Sequence, residues 1–127
     1  MMNQDELLLN QVGQSLGLPL TFDTNEQCLL MLDNKLMISI HYQDELWTFY
    51  CMLAQVSNHE TAQYWRLCLQ LNLVLAEQGM GRISYDTDSG SLLYLMSLPM
   101  PATSDSVTEF IERLVDSYES VQARLSE

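Results

Sequence analysis

The chain has 127 residues, of which 47% are hydrophobic, so its length and composition predict one domain with a real core. It carries 17 acidic and 5 basic residues, for a net charge of −12. That excludes the basic footprint a nucleic-acid binder needs and disfavours anionic membrane surfaces; scattered acids read as a solvated surface rather than an acidic tail.

The first residues, MMNQDELLLNQVGQ, include acids and lack a basic region followed by a long apolar core, so no signal peptide is expected. Residues 5–16 read as a helix capped by Asp5, with Leu8, Leu9, Val12 and Leu16 near one face and Leu7 to the side. Gly17 ends it and Leu18–Pro19 turn the chain. Residues 20–54 read as an antiparallel meander. Its strands are Cys28–Leu32, Leu36–Tyr42 and Leu46–Ala54, joined by turns at Asp33–Asn34 and Gln43–Glu45. In the second strand Leu36, Ile38, Ile40 and Tyr42 point one way and Met37, Ser39 and His41 the other. A sheet covered on one side alternates apolar and polar residues, and Leu29, Met31, Met37, Trp47, Phe49, Cys51 and Leu53 break that alternation. Part of the second face is therefore expected to be covered by a helix, a second copy or a ligand chain.

The stretch TAQYWRLCLQLNLVLAEQ, Thr61–Gln78, alternates Leu with other residues like a strand. Its length, its helix-favouring composition, a cap at Ser57 or Asn58, and Gly79 beyond its end all argue for a helix. Leu67, Leu71, Val74 and Leu75 form one stripe, and Trp65, Leu69, Leu73 and Ala76 a second. A surface helix of a small monomer needs one. The second stripe, with Trp65, Leu69 and Leu73, is assigned to a dimer interface with another copy of the chain; Leu67, Leu71 and Leu75 are assigned to the sheet. Arg82–Tyr85 and Leu92–Leu98 follow as strands around a turn at Asp86–Gly90, and Pro99 and Pro101 break the sheet. Residues 103–125 form the last helix, with a capping box of Ser106 and Glu109 and the stripe Val107, Phe110, Ile111, Leu114, Tyr118, Val121, Leu125. The order α-β-β-β-α-β-β-α makes an α+β fold, three helices packed on a twisted antiparallel sheet.

No catalytic chemistry is legible. DTDSG at Asp86–Gly90 resembles the start of a calcium loop, but the glycine comes one position early and Ser97 stands where a closing Glu belongs; a hairpin turn fits better. His41 and His59 have no ligand spacing to each other or to a cysteine. Cys28, Cys51 and Cys68 sit in apolar runs without CxxC spacing, which predicts reduced, buried thiols and a cytoplasmic compartment. No apolar run reaches membrane-spanning length.

GQSLGLPLTFDTNEQCLLMLD at Gly13–Asp33 and LNLVLAEQGMGRISYDTDSGSLLYLMSLP at Leu71–Pro99 resemble the class I type III secretion chaperones, the CesT/SicP-like family. The first stretch is closest in pattern to SicP-type members, and the second matches the Leu-Asn…Ala-Glu-x-Gly, strand, turn, Leu-rich strand pattern. The longer C-terminal tail of some members is lacking, so no tail-dependent role is expected. The resemblance implies a bacterial cytoplasmic homodimer without cofactor or catalysis. It implies that the dimer binds the N-terminal chaperone-binding segment of a secreted effector in extended form. The segment stays soluble and secretion-competent and is then handed to the secretion ATPase. The surplus apolar positions Leu8, Leu9, Val12, Met37 and Phe49 are the candidate effector site, on the first helix and the outer face of the meander. Two other classes stay open: a small-molecule-binding α+β domain with a closed polar-lined pocket, and a regulatory dimer that consumes its apolar surplus in self-association.

Overall fold

A computed structural model describes residues 4–33, 35–56, 60–99 and 103–126. The elements are α1 (Gln4–Leu16), β1 (Gln27–Leu32), β2 (Leu36–Gln43), β3 (Leu46–Gln55), α2 (Ala62–Glu77), β4 (Arg82–Asp86), β5 (Ser91–Pro99) and α3 (Ser104–Leu125). The five strands form one sheet in the order β1-β2-β3-β5-β4, antiparallel in the β1–β2 and β4–β5 pairs. The fold is α+β, in the expected element order.

The chain divides into two compact units, Met1–Phe49 with Ser97–Arg113 and Tyr50–Met96 with Leu114–Glu127. In the first unit, period-2 burial puts Cys28, Leu30, Ile38, Ile40, Trp47 and Phe49 inside. α1 contributes Leu8, Leu9 and Val12 to that core, and the N-terminal half of α3 contributes Val107, Phe110 and Ile111. The rings of Phe49 and Phe110 lie 4.8 Å apart, and the Trp47 indole donates through Nε1 to Asp5 Oδ1 at 3.0 Å. Asp5 is thus a helical residue that satisfies a buried indole, rather than the cap of α1. In the second unit Cys51, Leu53, Leu71, Leu75, Ile83, Leu92, Tyr94, Leu114, Tyr118 and Val121 are buried. The Tyr94 hydroxyl donates to Ser117 Oγ at 2.8 Å, and the Tyr118 hydroxyl to the Met52 carbonyl at 2.9 Å.

The helix ends show where local chemistry differs from expectation. Thr61 is the N-cap of α2, its hydroxyl accepting from Tyr64 N, because the chain turns there from extended to helical backbone. The earlier candidates Ser57 and Asn58 lie outside the described residues, as do His59, Asn34 of the first turn, and Pro101. At α3 the reciprocal pair is Thr103 and Ser106: Ser106 N donates to Thr103 Oγ1, and Thr103 N to Ser106 Oγ. Ser106 therefore plays the part expected of Glu109, and Thr103 the part expected of Ser106.

α2 ends as its sequence predicts. Gly79 has φ +67°, Gly79 N donates to the Ala76 carbonyl and Met80 N to that of Leu75. These are the paired bonds of a Schellman cap, which needs left-handed backbone at the glycine. No heavy atom lies within 4 Å of an added Cβ, so the cost of a side chain there is backbone strain alone. Gly79→Val is expected to lower stability by about 1–2 kcal/mol, read as a lower denaturation midpoint at unchanged m-value.

The β2–β3 turn is a two-residue loop in which Asp44 and Glu45 both take positive φ, 53° and 62°. Such mirror-image turns follow the right-handed twist of the flanking strands and favour Asn-Gly, so this chain accepts strain to keep a tight hairpin.

Candidate functional site

The acids of Asp86–Gly90 are occupied in shaping a turn. Asp86 accepts from Asp88 N at 3.3 Å and from Ser89 Oγ at 2.7 Å, and Gly90 N returns to the Asp86 carbonyl. Among the described residues no group of three or more His, Cys, Asp and Glu side chains is placed to hold a metal ion. The three thiols are free and buried. Burial raises all three, and pushes Cys51 up to about 12, so the reactive thiolate is suppressed. What remains to do chemistry with is exposed apolar surface, and each unit has some.

In the first unit the surface lies on the outward face of β1 and β2. Leu29, Met31 and Met37 are exposed there, while their neighbours Cys28, Leu30, Ile38 and Ile40 are buried. Met31 stands directly opposite Met37, and Leu29 opposite Ser39. Non-polar side chains therefore sit on both faces of this hairpin, one face serving the core and the other solvent. His41, two residues beyond Ser39 on the same face, has its Nε2 3.0 Å from Ser39 Oγ. Burial lowers its pKa, against a smaller opposing effect of Asp23, so it adds no full positive charge near pH 7. β1 is the last strand on this side of the sheet. A face of Leu and Met beside a sheet edge suits an extended chain that pairs by backbone and docks alternate side chains.

Four of the five sequence-predicted effector residues are not on this surface. Leu8, Leu9, Val12 and Phe49 are buried in the core, and only Met37 is exposed. The physical reasons are separate. In α1 the adjacent leucines cannot all face inward, and the one left out is Leu7, 51% exposed. In β3 Phe49 shares its parity with Trp47, Cys51 and Leu53, all of them buried, and its ring lies against Phe110. The outward positions of that strand are those of Leu46 and Met52. Leu29 and Met31 break the alternation of β1, and their parity opposite the buried Cys28 and Leu30 is the sequence signal that marks them as outward.

In the second unit the surface is on α2. Leu69 is 69% exposed, Leu73 61% and Val74 43%. Trp65 is half-buried, its ring edge-on to Tyr85 at 5.6 Å between centroids. Leu71, Leu75 and Cys68 are buried and Leu67 is half-buried. Leu71 and Leu75 therefore face inward as expected, whereas Val74 leaves the stripe assigned to the sheet and Cys68 takes a place there. An open apolar groove of about 260 Å³, lined by Trp65, Cys68, Leu69, Ile83, Tyr85 and Leu92, runs beside the exposed leucines. Protruding leucines beside a shallow groove are what an isologous interface asks of a single patch.

The model of the Tir chaperone protein (CesT) family matches residues 7–122. The chain belongs to that family. Solved structures agree on the fold of this CesT-family chain. It is similar to a chain in the HopA1–SchA chaperone–effector complex, with TM-score 0.77 and 18% identity over 97% of this chain and 99% of the other. It is similar to a chain in the ExsC–ExsE complex, with TM-score 0.81 and 16% identity over 96% and 93%. A third likeness is to a chain in the heterodimeric ExoU–SpcU complex of the type III secretion system of Pseudomonas aeruginosa, with TM-score 0.65 and 15% identity over 94% and 95%. Among the described residues no helix is long and apolar enough to cross a membrane.

Proposed function

We propose that this CesT-family chain is a bacterial cytoplasmic type III secretion chaperone. It binds the N-terminal chaperone-binding segment of a secreted effector and keeps that segment soluble and secretion-competent, without catalysis and without a cofactor. The observation that carries this reading is the apolar outer face of β1 and β2, with Leu29 67% exposed beside Met31 and Met37, on a chain of net charge −12. Membership in a chaperone family and the fold shared with chains of chaperone–effector complexes support it. Exposed apolar patches usually mark partner sites, and thioether side chains adapt to varied partners. The effector site is therefore proposed around Leu29, Met31 and Met37 rather than Leu8, Leu9, Val12 and Phe49. The pattern of Gly13–Asp33 supports a SicP-type member, and the secretion ATPase is the proposed recipient of the cargo.

The working form is proposed to be a homodimer through α2, with Leu69 and Leu73 in the interface and Trp65 at its margin. Their exposure beside the apolar groove supports this.

The test is calorimetric titration of the purified chain with the N-terminal segment of a secreted effector encoded beside it. Tight 1:2 or 1:1 binding is expected. Leu29→Asp with Met37→Asp should weaken it at least a hundredfold, about 3 kcal/mol, without changing circular dichroism. Unchanged affinity in that variant would put the site elsewhere, and the absence of binding by wild type would remove the chaperone reading.

A further inference from the structure

β1 ends one side of the sheet and β4 the other. An exposed strand edge presents unpaired N–H and C=O groups that template the addition of another strand. In the β4–β5 pair Ile83 lies opposite Tyr94. Ile83 N donates to Asn72 Oδ1 at 2.7 Å, and Asn72 Nδ2 donates to the Ile83 carbonyl at 3.1 Å. In an antiparallel pair the N–H and C=O of one residue point the same way, toward the partner strand or away from it. Both groups of Ile83 are taken by a helix, so both point away from β5, toward the free edge. The Asn72 carboxamide occupies them as the peptide group of an added strand would.

Groups on either side of Ile83 are also engaged. Gly81, two residues before Ile83 and of the same parity, has its N–H committed to the Tyr94 hydroxyl at 3.2 Å. Trp65, two turns before Asn72 on α2, covers the Tyr85 ring. The choice of residue is informative too. Asparagine is a poor helix former, and Asn72 stands mid-helix in the run Leu71–Leu75 where leucine would otherwise fit. β1 carries a cover of the same kind at its start, where Gln27 N donates to Asp23 Oδ1 at 3.1 Å and Asp23 N donates to the Gln27 carbonyl at 2.8 Å, ahead of the exposed Leu29 and Met31.

We infer that Asn72 is an edge guard: by pairing with Ile83 it closes the β4 edge to the addition of an extended partner segment. The nature of that segment rests on the chaperone reading; the guarding of β4 does not. The residue acts on specificity by exclusion, through the backbone it covers.

The test compares wild type with Asn72→Ala by residue-resolved amide exchange, and titrates both with a lysine-flanked peptide of the Ser91–Pro99 sequence, the natural neighbour of β4. In wild type the Ile83 amide should exchange slowly and the peptide should leave the Arg82–Asp86 resonances unmoved. In Asn72→Ala the Ile83 amide should exchange about tenfold faster, the loss of one ordinary hydrogen bond, and the peptide should shift Arg82–Asp86. Asn72→Asp, which keeps an acceptor for the N–H but no donor for the carbonyl, should fall between the two and serves if the alanine variant is poorly folded. Unchanged exchange at Ile83 in both variants, peptide addition to β4 in wild type, or no addition in either variant would overturn the inference. An effector segment that fails to protect β1 would count against the chaperone reading and leave the Ile83 result standing.

Discussion

Leu9→Glu combined with Phe49→Glu is expected to unfold the chain. Both side chains are fully buried, and Phe49 packs its ring on Phe110 at 4.8 Å. Each substitution deletes a large apolar group and places a carboxylate in the apolar core. Lost burial alone costs about 3–5 kcal/mol for a phenylalanine, and an unpaired buried charge adds several more. Two such sites exceed the roughly 5–15 kcal/mol that stabilises a domain. Far-ultraviolet circular dichroism and near-ultraviolet fine structure should both be lost at 25 °C. A native spectrum with effector binding abolished would return these two residues to the surface. Met37→Glu, at a position 43% exposed, is the contrasting variant and should fold normally.

The second large effect is on association. Leu69→Asp with Leu73→Asp changes two side chains that are 69% and 61% exposed, so the fold of the chain should survive. Buried across a dimer, the two carboxylates would face apolar surface on both copies, and the symmetry of the interface doubles the number of charges. A loss of about 4 kcal/mol or more is expected, a dissociation constant raised roughly a thousandfold. Sedimentation equilibrium at micromolar concentration should show wild type as a dimer and the variant as a folded monomer. A wild-type monomer under the same conditions would refute the α2 interface.

Element order was legible because each segment carried one dominant signal. α2 is the instructive case. Its leucines at 67, 69, 71, 73 and 75 repeat like a strand, yet sixteen residues, helix-favouring composition and Gly79 outweighed the repeat. Faces were harder. β3 reads LWTFYCMLA, apolar at both parities, and periodicity says which residues share a face without saying which face is covered. Phe49 reads as outward for that reason, yet it is buried with Trp47 and Cys51, whose parity it shares. In α1 three consecutive leucines blur the stripe by a third of a turn, enough to mistake buried Leu8 and Leu9 for the surplus that Leu7 actually supplies. Caps moved by a few residues because Ser, Thr and Asn are interchangeable in sequence and only the turn of the backbone selects among them. The role of Asn72 was visible only as an anomaly, one amide inside LQLNLVL; its partner, the edge of β4, exists only in the folded chain.

Hydrogen–deuterium exchange of the chain alone and saturated with an effector N-terminal segment tests the central claim most directly. Partner burial and strand addition at β1 predict slowed exchange across Gln27–Leu32 and Leu36–Gln43, with Arg82–Asp86 unchanged. Slowed exchange confined to other elements, or none at saturation, would contradict the account.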